Sequence, residues 1–206
     1  MGPMVSLAKG LLGEETSQLL GAFLVARIWQ ATMSRASRPE SWRPDFNLYL
    51  DEFQNYLHLP QSLDDVLAEA RGYHLGLVLA NQHLGQLGTT TRAALASNAR
   101  TRVTFQCGQE DARYLAREFG PQLGEHQLRN LRQFQVALRL CVDGHTETPF
   151  TGVTRFAPAS LGEEQGARLV RCALERWGRP RPLVEAEIRS RLHAEGFSRP
   201  DQSLAD

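Results

Sequence analysis

Phe46-Asn47-Leu48-Tyr49-Leu50-Asp51-Glu52-Phe53-Gln54-Asn55 is an apolar run that ends in two adjacent carboxylates. Its Leu, Tyr and Phe content, preceded by Pro44-Asp45, reads as a strand buried on both faces of a parallel sheet. Such a strand delivers the residues after it to the carboxyl edge of the sheet, where open α/β folds bind ligands. Asp51 then stands at the strand tip and Glu52 one residue beyond, pointing elsewhere. Two readings are open for the pair. One is the acidic start of a solvated loop, the commoner meaning of Asp-Glu after apolar residues. The other is a nucleotide site of the Walker B type, in which the aspartate reaches Mg²⁺ and the glutamate polarises an attacking water.

The rest of the composition bounds the problem. At 206 residues, with 42% hydrophobic and 22% charged residues, the chain suits one soluble α/β domain and a modest appendage. Basic and acidic residues balance at 23 each, so net charge argues neither for nor against a nucleic-acid partner. Lys9 is the single lysine, and every other basic residue is an arginine. Cys107, Cys141 and Cys172 are odd in number and widely spaced, which argues against a disulfide framework or a zinc site and for a reducing compartment. His58, His74, His83, His126, His145 and His193 share no metal-ligand spacing. No apolar run approaches the roughly 18 residues that span a bilayer, and a cytoplasmic chain is expected.

Along the chain, residues 4–8 (MVSLA) read as a short strand, followed by a glycine-punctuated loop. Glu14 and Glu15 open a long helix to about Arg35, with Leu20, Phe23, Leu24, Ile28 and Ala31 on the face expected to pack on the sheet. After the acidic strand come a loop to Pro60 containing His58, a helix over about residues 62–70 ended by Arg71-Gly72, and a second apolar strand, LGLVLA at 75–80. Asn81-Gln82-His83 caps that strand. A helix over 89–99 precedes residues 101–107, where Val103, Phe105 and Cys107 alternate with polar neighbours. Helices over 109–119 and 123–131 follow, then an alternating strand over 134–142. Asp143-Gly144 is a hairpin signal, with 145–154 as the returning strand. Two helices, about 162–177 and 183–194, close the chain around the Gly178-Arg179-Pro180-Arg181-Pro182 break. Strands alternating with helices give an α/β fold with a mainly parallel sheet, a C-terminal hairpin and a helical tail. The expected division is 1–158 and 159–206.

Counting from the acidic pair sharpens the nucleotide reading. Gln82 ends the next strand, so neighbouring parallel strands would present Asp51, Glu52 and Gln82 at one edge. A glutamine there can hold a water or sense a γ-phosphate, or can merely cap the strand. Arg71 closes the intervening helix.

Four stretches together resemble the motor domain of conjugative coupling proteins, the TraG/TraD-type DNA-pumping ATPases of type IV secretion systems. They are LAKGLLGEETSQLLGAFLVARIW (7–29), LYLDEFQNYLHLP (48–60), LAEARGYHLGLVLANQHLGQL (67–87) and NARTRVTFQCGQEDARYLAREF (98–119). The resemblance covers roughly residues 4–156, and it implies part of a RecA-like P-loop NTPase core. It places Mg²⁺ on Asp51, water activation on Glu52, γ-phosphate sensing on Gln82, and an arginine acting across a subunit interface on Arg71. A plain helix-end role for Arg71 stands beside that last assignment. ATP and Mg²⁺ are the implied cofactors. DNA in the pore of a homo-hexamer, type IV secretion components and a relaxase are the implied partners.

One departure from the family pattern is sharp. GxxxxGK followed by Ser or Thr occurs nowhere in these residues, so the phosphate-cradling loop and its Ser/Thr metal ligand are not among them. The expectation is therefore a truncated or split half of a translocase, with no appreciable ATP hydrolysis alone. The alternative is a non-catalytic assembly or interaction protein that keeps the motor fold. A motor for chromosome segregation or phage packaging is a third reading, less favoured by the long first-helix match.

Overall fold

The computed structural model describes residues 4–56, 63–160 and 162–194. The chain divides into two compact units, residues up to 155 and residues from 156 on.

The first unit opens with extended residues, not the expected strand at 4–8. The amides of Leu11 and Leu12 turn back onto the Ala8 carbonyl at 3.0 and 3.1 Å, starting the short helix α1 (Lys9–Leu12). Helix α2 (Glu14–Met33) follows, and its buried face differs from the one the large apolar residues suggested. Ser17, Gly21, Ala22, Trp29 and Thr32 are buried, whereas Leu20 and Phe23 are exposed. Small residues win that face because they admit close neighbours. A Cβ on Gly21 would lie 2.2 Å from the Tyr56 ring, and the Ser17 hydroxyl donates to the Leu7 carbonyl at 2.8 Å. Trp29 packs edge-on to Tyr73 and joins Val66, Ala70 and Leu75 in one core cluster.

Strand β1 (Phe46–Leu50) and strand β2 (Leu75–Leu79) pair in parallel, from Phe46 opposite Leu75 to Leu50 opposite Leu79. They are joined through α3 (Leu63–Glu69) and a 3₁₀ turn, Ala70–Tyr73. The expected loop around His58 lies outside the described residues. β1 is not buried on both faces: its residues alternate half-buried and exposed, and Tyr49 is 71% exposed. The helix before β2 does not end at Arg71-Gly72 either. Its left-handed terminal residue is His74, whose ring Nδ1 lies 2.9 Å from Asp45 Oδ1, holding a conformation more often left to glycine.

After α4 (Thr89–Asn98), strand β3 (Arg102–Thr104) is shorter than residues 101–107 and turned over. Val103 and Phe105, the expected core face, are each 54% exposed. Arg102 points inward instead, because Arg102 and Arg139 stand opposite each other in register and share Glu118, at 3.7 and 3.0 Å. Burial lowers the Arg102 pKa and Glu118 counteracts it. Around this triad lie α5 (Gln109–Phe119), α6 (Glu125–Arg129) and β4 (Gln135–Arg139), with Ala112, Phe119, Leu123, Leu128, Leu131 and Ala137 as their core. α6 is shorter than the expected 123–131. β4 pairs antiparallel with β3 on one edge and with β7 (Phe150–Val153) on the other. Between them β5 (Cys141–Val142) and β6 (His145–Thr146) form the hairpin, with Asp143 and Gly144 both at positive φ as its turn requires. Parallel pairing is thus confined, among the described residues, to β1 and β2.

The second unit contains α7 (Glu163–Trp177) and α8 (Arg181–Ala194). Leu169, Val170, Leu174 and Trp177 are exposed along α7. The Glu187 carboxylate is held below the usual range first by its hydrogen bond from Arg179, with Arg191 adding to the effect. All three cysteines are free thiols, and burial raises the pKa of Cys107. No helix among the described residues is long and apolar enough to cross a membrane.

The close approach of α2 to Tyr56 is open to test. Gly21→Val should cost about 1–3 kcal/mol in urea unfolding. The loss should shrink when measured in a Tyr56→Ala background, where the neighbour is gone.

Candidate functional site

Leu50 and Phe53 are both bonded to one residue of the neighbouring strand. The Ala80 amide donates to the Leu50 carbonyl at 3.0 Å, and the Ala80 carbonyl accepts from the Phe53 amide at 3.2 Å. Two anchor points three residues apart force the residues between them, Asp51 and Glu52, out of the sheet at its carboxyl edge. Phe53, only 1% exposed, locks the return into the core; burying such a ring stabilises by roughly 1.5–3 kcal/mol.

Glu52 adopts φ +49, a left-handed conformation that an acidic side chain rarely takes. Its amide donates to Asp51 Oδ1 at 3.1 Å, and its carbonyl accepts from the Asn55 amide at 3.0 Å, so the turn closes on itself. The Gln54 side-chain amide donates to Glu52 Oε2 at 2.6 Å and fixes that carboxylate. Gln82 stands beyond the end of β2, and the parallel register brings it to the same edge. Nearby, the Leu84 amide donates to Asp111 Oδ2 at 3.0 Å, tying the loop after Gln82 to α5.

A cleft of about 490 Å³ is lined by Asp51, Glu52 and Gln82 together with Lys9, Glu14 and Gln54 among others. Three of the four residues expected at the site are therefore gathered. The fourth, Arg71, is not: it is exposed and lines a separate groove of about 580 Å³ beside β2 and β3, which Gln82 also borders. The reading of the sequence missed Lys9, Glu14 and Gln54. Their signals were slight: a sole lysine before a glycine, an acid opening a helix, and an amide two positions after the acidic pair.

The donor set suits Mg²⁺. Among the described residues there is no group of three or more His, Cys, Asp or Glu that could hold an ion by itself. Mg²⁺ is commonly held by one or two carboxylates, waters and substrate phosphates, and Asp51 supplies a carboxylate open to solvent. Gln54 Oε1 is enclosed without a hydrogen-bond partner, an acceptor suited to a water of the metal's shell.

The family described as the TraM recognition site of TraD and TraG matches residues 45–135, which hold the acidic turn, Arg71 and Gln82. Among solved structures, the bacterial conjugative coupling protein TrwB in an unbound form aligns with a TM-score of 0.50 at 16% identity, over 62% of this chain and 35% of that one. TrwB in complex with ADP and Mg²⁺ aligns at 0.48 and 18% identity, over 61% and 35%. The genome packaging NTPase B204 of Sulfolobus turreted icosahedral virus 2, in complex with ATP-gammaS, aligns at 0.42 and 16% identity, over 56% and 55%. No curated protein matches in sequence. The chain thus spans about a third of the length of the coupling protein it resembles. Over the aligned part its fold is similar to that of TrwB, an α/β arrangement with, among the described residues, one small parallel sheet.

The left-handed turn carries its own prediction. Glu52→Gly should raise the unfolding free energy by about 0.5–1 kcal/mol by relieving the backbone, read by urea unfolding, whereas Glu52→Ala should not.

Proposed function

We propose that this chain is the metal- and water-handling part of an ATP-driven DNA translocase of the conjugative coupling type. The observation that carries the reading is the acidic turn clamped by Ala80, with Gln82 at the same sheet edge. Asp51 would hold Mg²⁺, and Mg²⁺ would supply charge neutralisation between the β- and γ-phosphates. Glu52, with Oε2 engaged by Gln54, keeps Oε1 to accept the proton of an attacking water. Gln82 donates to that water or to a phosphate oxygen. Arg71, which lines the other groove, would serve a neighbouring subunit's nucleotide in a homo-hexamer with DNA in its pore.

The phosphate loop is supplied from outside these 206 residues, by another segment of the same polypeptide or by a second one. The exposed edge of β2 and the groove lined by Leu77, Val78, Leu79, Val103 and Phe105 favour a core completed by further strands. On this reading the chain works at the cytoplasmic face of a type IV secretion system and receives DNA from a relaxase. A second reading, an assembly or interaction protein without turnover, is favoured by the name of the matching family, which is that of a recognition site.

The two readings separate by Mg·ATP hydrolysis, measured with and without a co-expressed phosphate-loop half. The proposal expects turnover only in the mixture and a loss of about 100-fold or more with Glu52→Gln. A folded, monodisperse mixture without turnover would leave the interaction reading.

A further inference from the structure

Lys9 is the only lysine of the chain and lines the same cleft as Asp51, Glu52 and Gln82. Its ammonium lies 3.0 Å from Glu14 Oε1 and 3.4 Å from Asn55 Oδ1. The charged side chains lining the cleft among the described residues are three carboxylates, Glu14, Asp51 and Glu52, and one cation, Lys9. Such a lining repels a polyphosphate unless a divalent ion and that one cation offset it.

We infer that Lys9 is a phosphate-binding residue of this cleft, parked on Glu14 and Asn55 until a metal–polyphosphate arrives. The inference rests on the nucleotide reading of Asp51 and Glu52. The two partners of the parked ion pair are 46% and 65% exposed, so the pair is weak, salt-screened and cheap to exchange. An ammonium on a four-carbon stem carries three rotatable donors and can follow a phosphate oxygen without a change of backbone. The remaining polar atoms sort by sign. Asp51, Glu52 and the enclosed Gln54 Oε1 are acceptors, suited to a hydrated cation, and Lys9 is the charged donor of the lining.

This arrangement predicts effects of opposite sign on two ligands, which a tether between α1 and the acidic turn would not produce. The test titrates the full chain with Mn²⁺ alone, followed by the resonance of free Mn²⁺, and with Mn·ATP, followed by calorimetry. Lys9→Met should weaken Mn·ATP by about 10-fold, the worth of one charge-assisted hydrogen bond, while tightening Mn²⁺ alone about 2-fold or more. Lys9→Arg should keep Mn·ATP within about 3-fold. Glu14→Gln, which releases the ammonium, should tighten Mn·ATP and serves as the decisive variant if Lys9→Met unfolds. Unchanged Mn·ATP binding in Lys9→Met and Glu14→Gln, with binding lost in Asp51→Asn, would overturn the role of Lys9 and spare the nucleotide reading. A folded wild-type chain that takes neither ligand, alone or together with the co-expressed phosphate-loop half, would overturn both. If Lys9→Met weakens a single-stranded oligonucleotide and not Mn·ATP, the residue serves a nucleic-acid backbone and the inference fails.

Discussion

Ala80 is the residue on which the site depends. Its amide and carbonyl grip Leu50 and Phe53 on the neighbouring strand and leave Asp51-Glu52 no place in the ladder. The carboxylates are presented at the sheet edge by backbone hydrogen bonds and by the burial of Phe53, neither of which needs the acidic side chains themselves. The site is therefore built before it is used. Its cost is the left-handed Glu52, held by a self-closing turn.

A second constraint shapes the other half of the first unit. Arg102 and Arg139 face each other across β3 and β4, and Glu118 of α5 sits between them. Two guanidiniums half-removed from water require that carboxylate, so the helix carrying it is fixed on the strands. The same triad turns Arg102 inward and Val103 outward. The apolar face of β3 consequently borders the groove beside β2, where Phe105 and Val78 are exposed together. Two of the sheets described in this unit thus differ in kind: one parallel pair that carries the acidic turn, one antiparallel trio that carries the charged triad.

Much of this was legible in the residues, for identifiable reasons. The two strands FNLYL and LGLVL are short, apolar and bounded by turn chemistry, and the acidic pair follows one of them directly. Gln82 then falls at the same edge by register alone. The Asp143-Gly144 turn was legible because few residues tolerate positive φ there. What was hidden depends on partners distant in sequence. Residues 4–8 have strand composition but no strand beside them. The face of α2 follows Tyr56, a neighbour that its own periodicity does not reveal. The inversion of β3 follows Glu118 and Arg139. Lys9 joins the cleft through its ammonium's contact with Asn55, 46 positions further along the chain.

The central claim is that the turn held by Ala80 is a metal site, with Asp51 as its ligand and Gln82 lining the same cleft. Trace Mn²⁺ added to the uniformly ¹⁵N-labelled full chain tests it most directly, because paramagnetic broadening reports proximity residue by residue. The amides of Asp51, Glu52 and Gln82 and the side-chain amide of Gln54 should broaden first and together, and Asp51→Asn should abolish the effect. Broadening centred elsewhere, such as on Glu163 and Glu164 at the start of α7, with these amides left sharp, would contradict it.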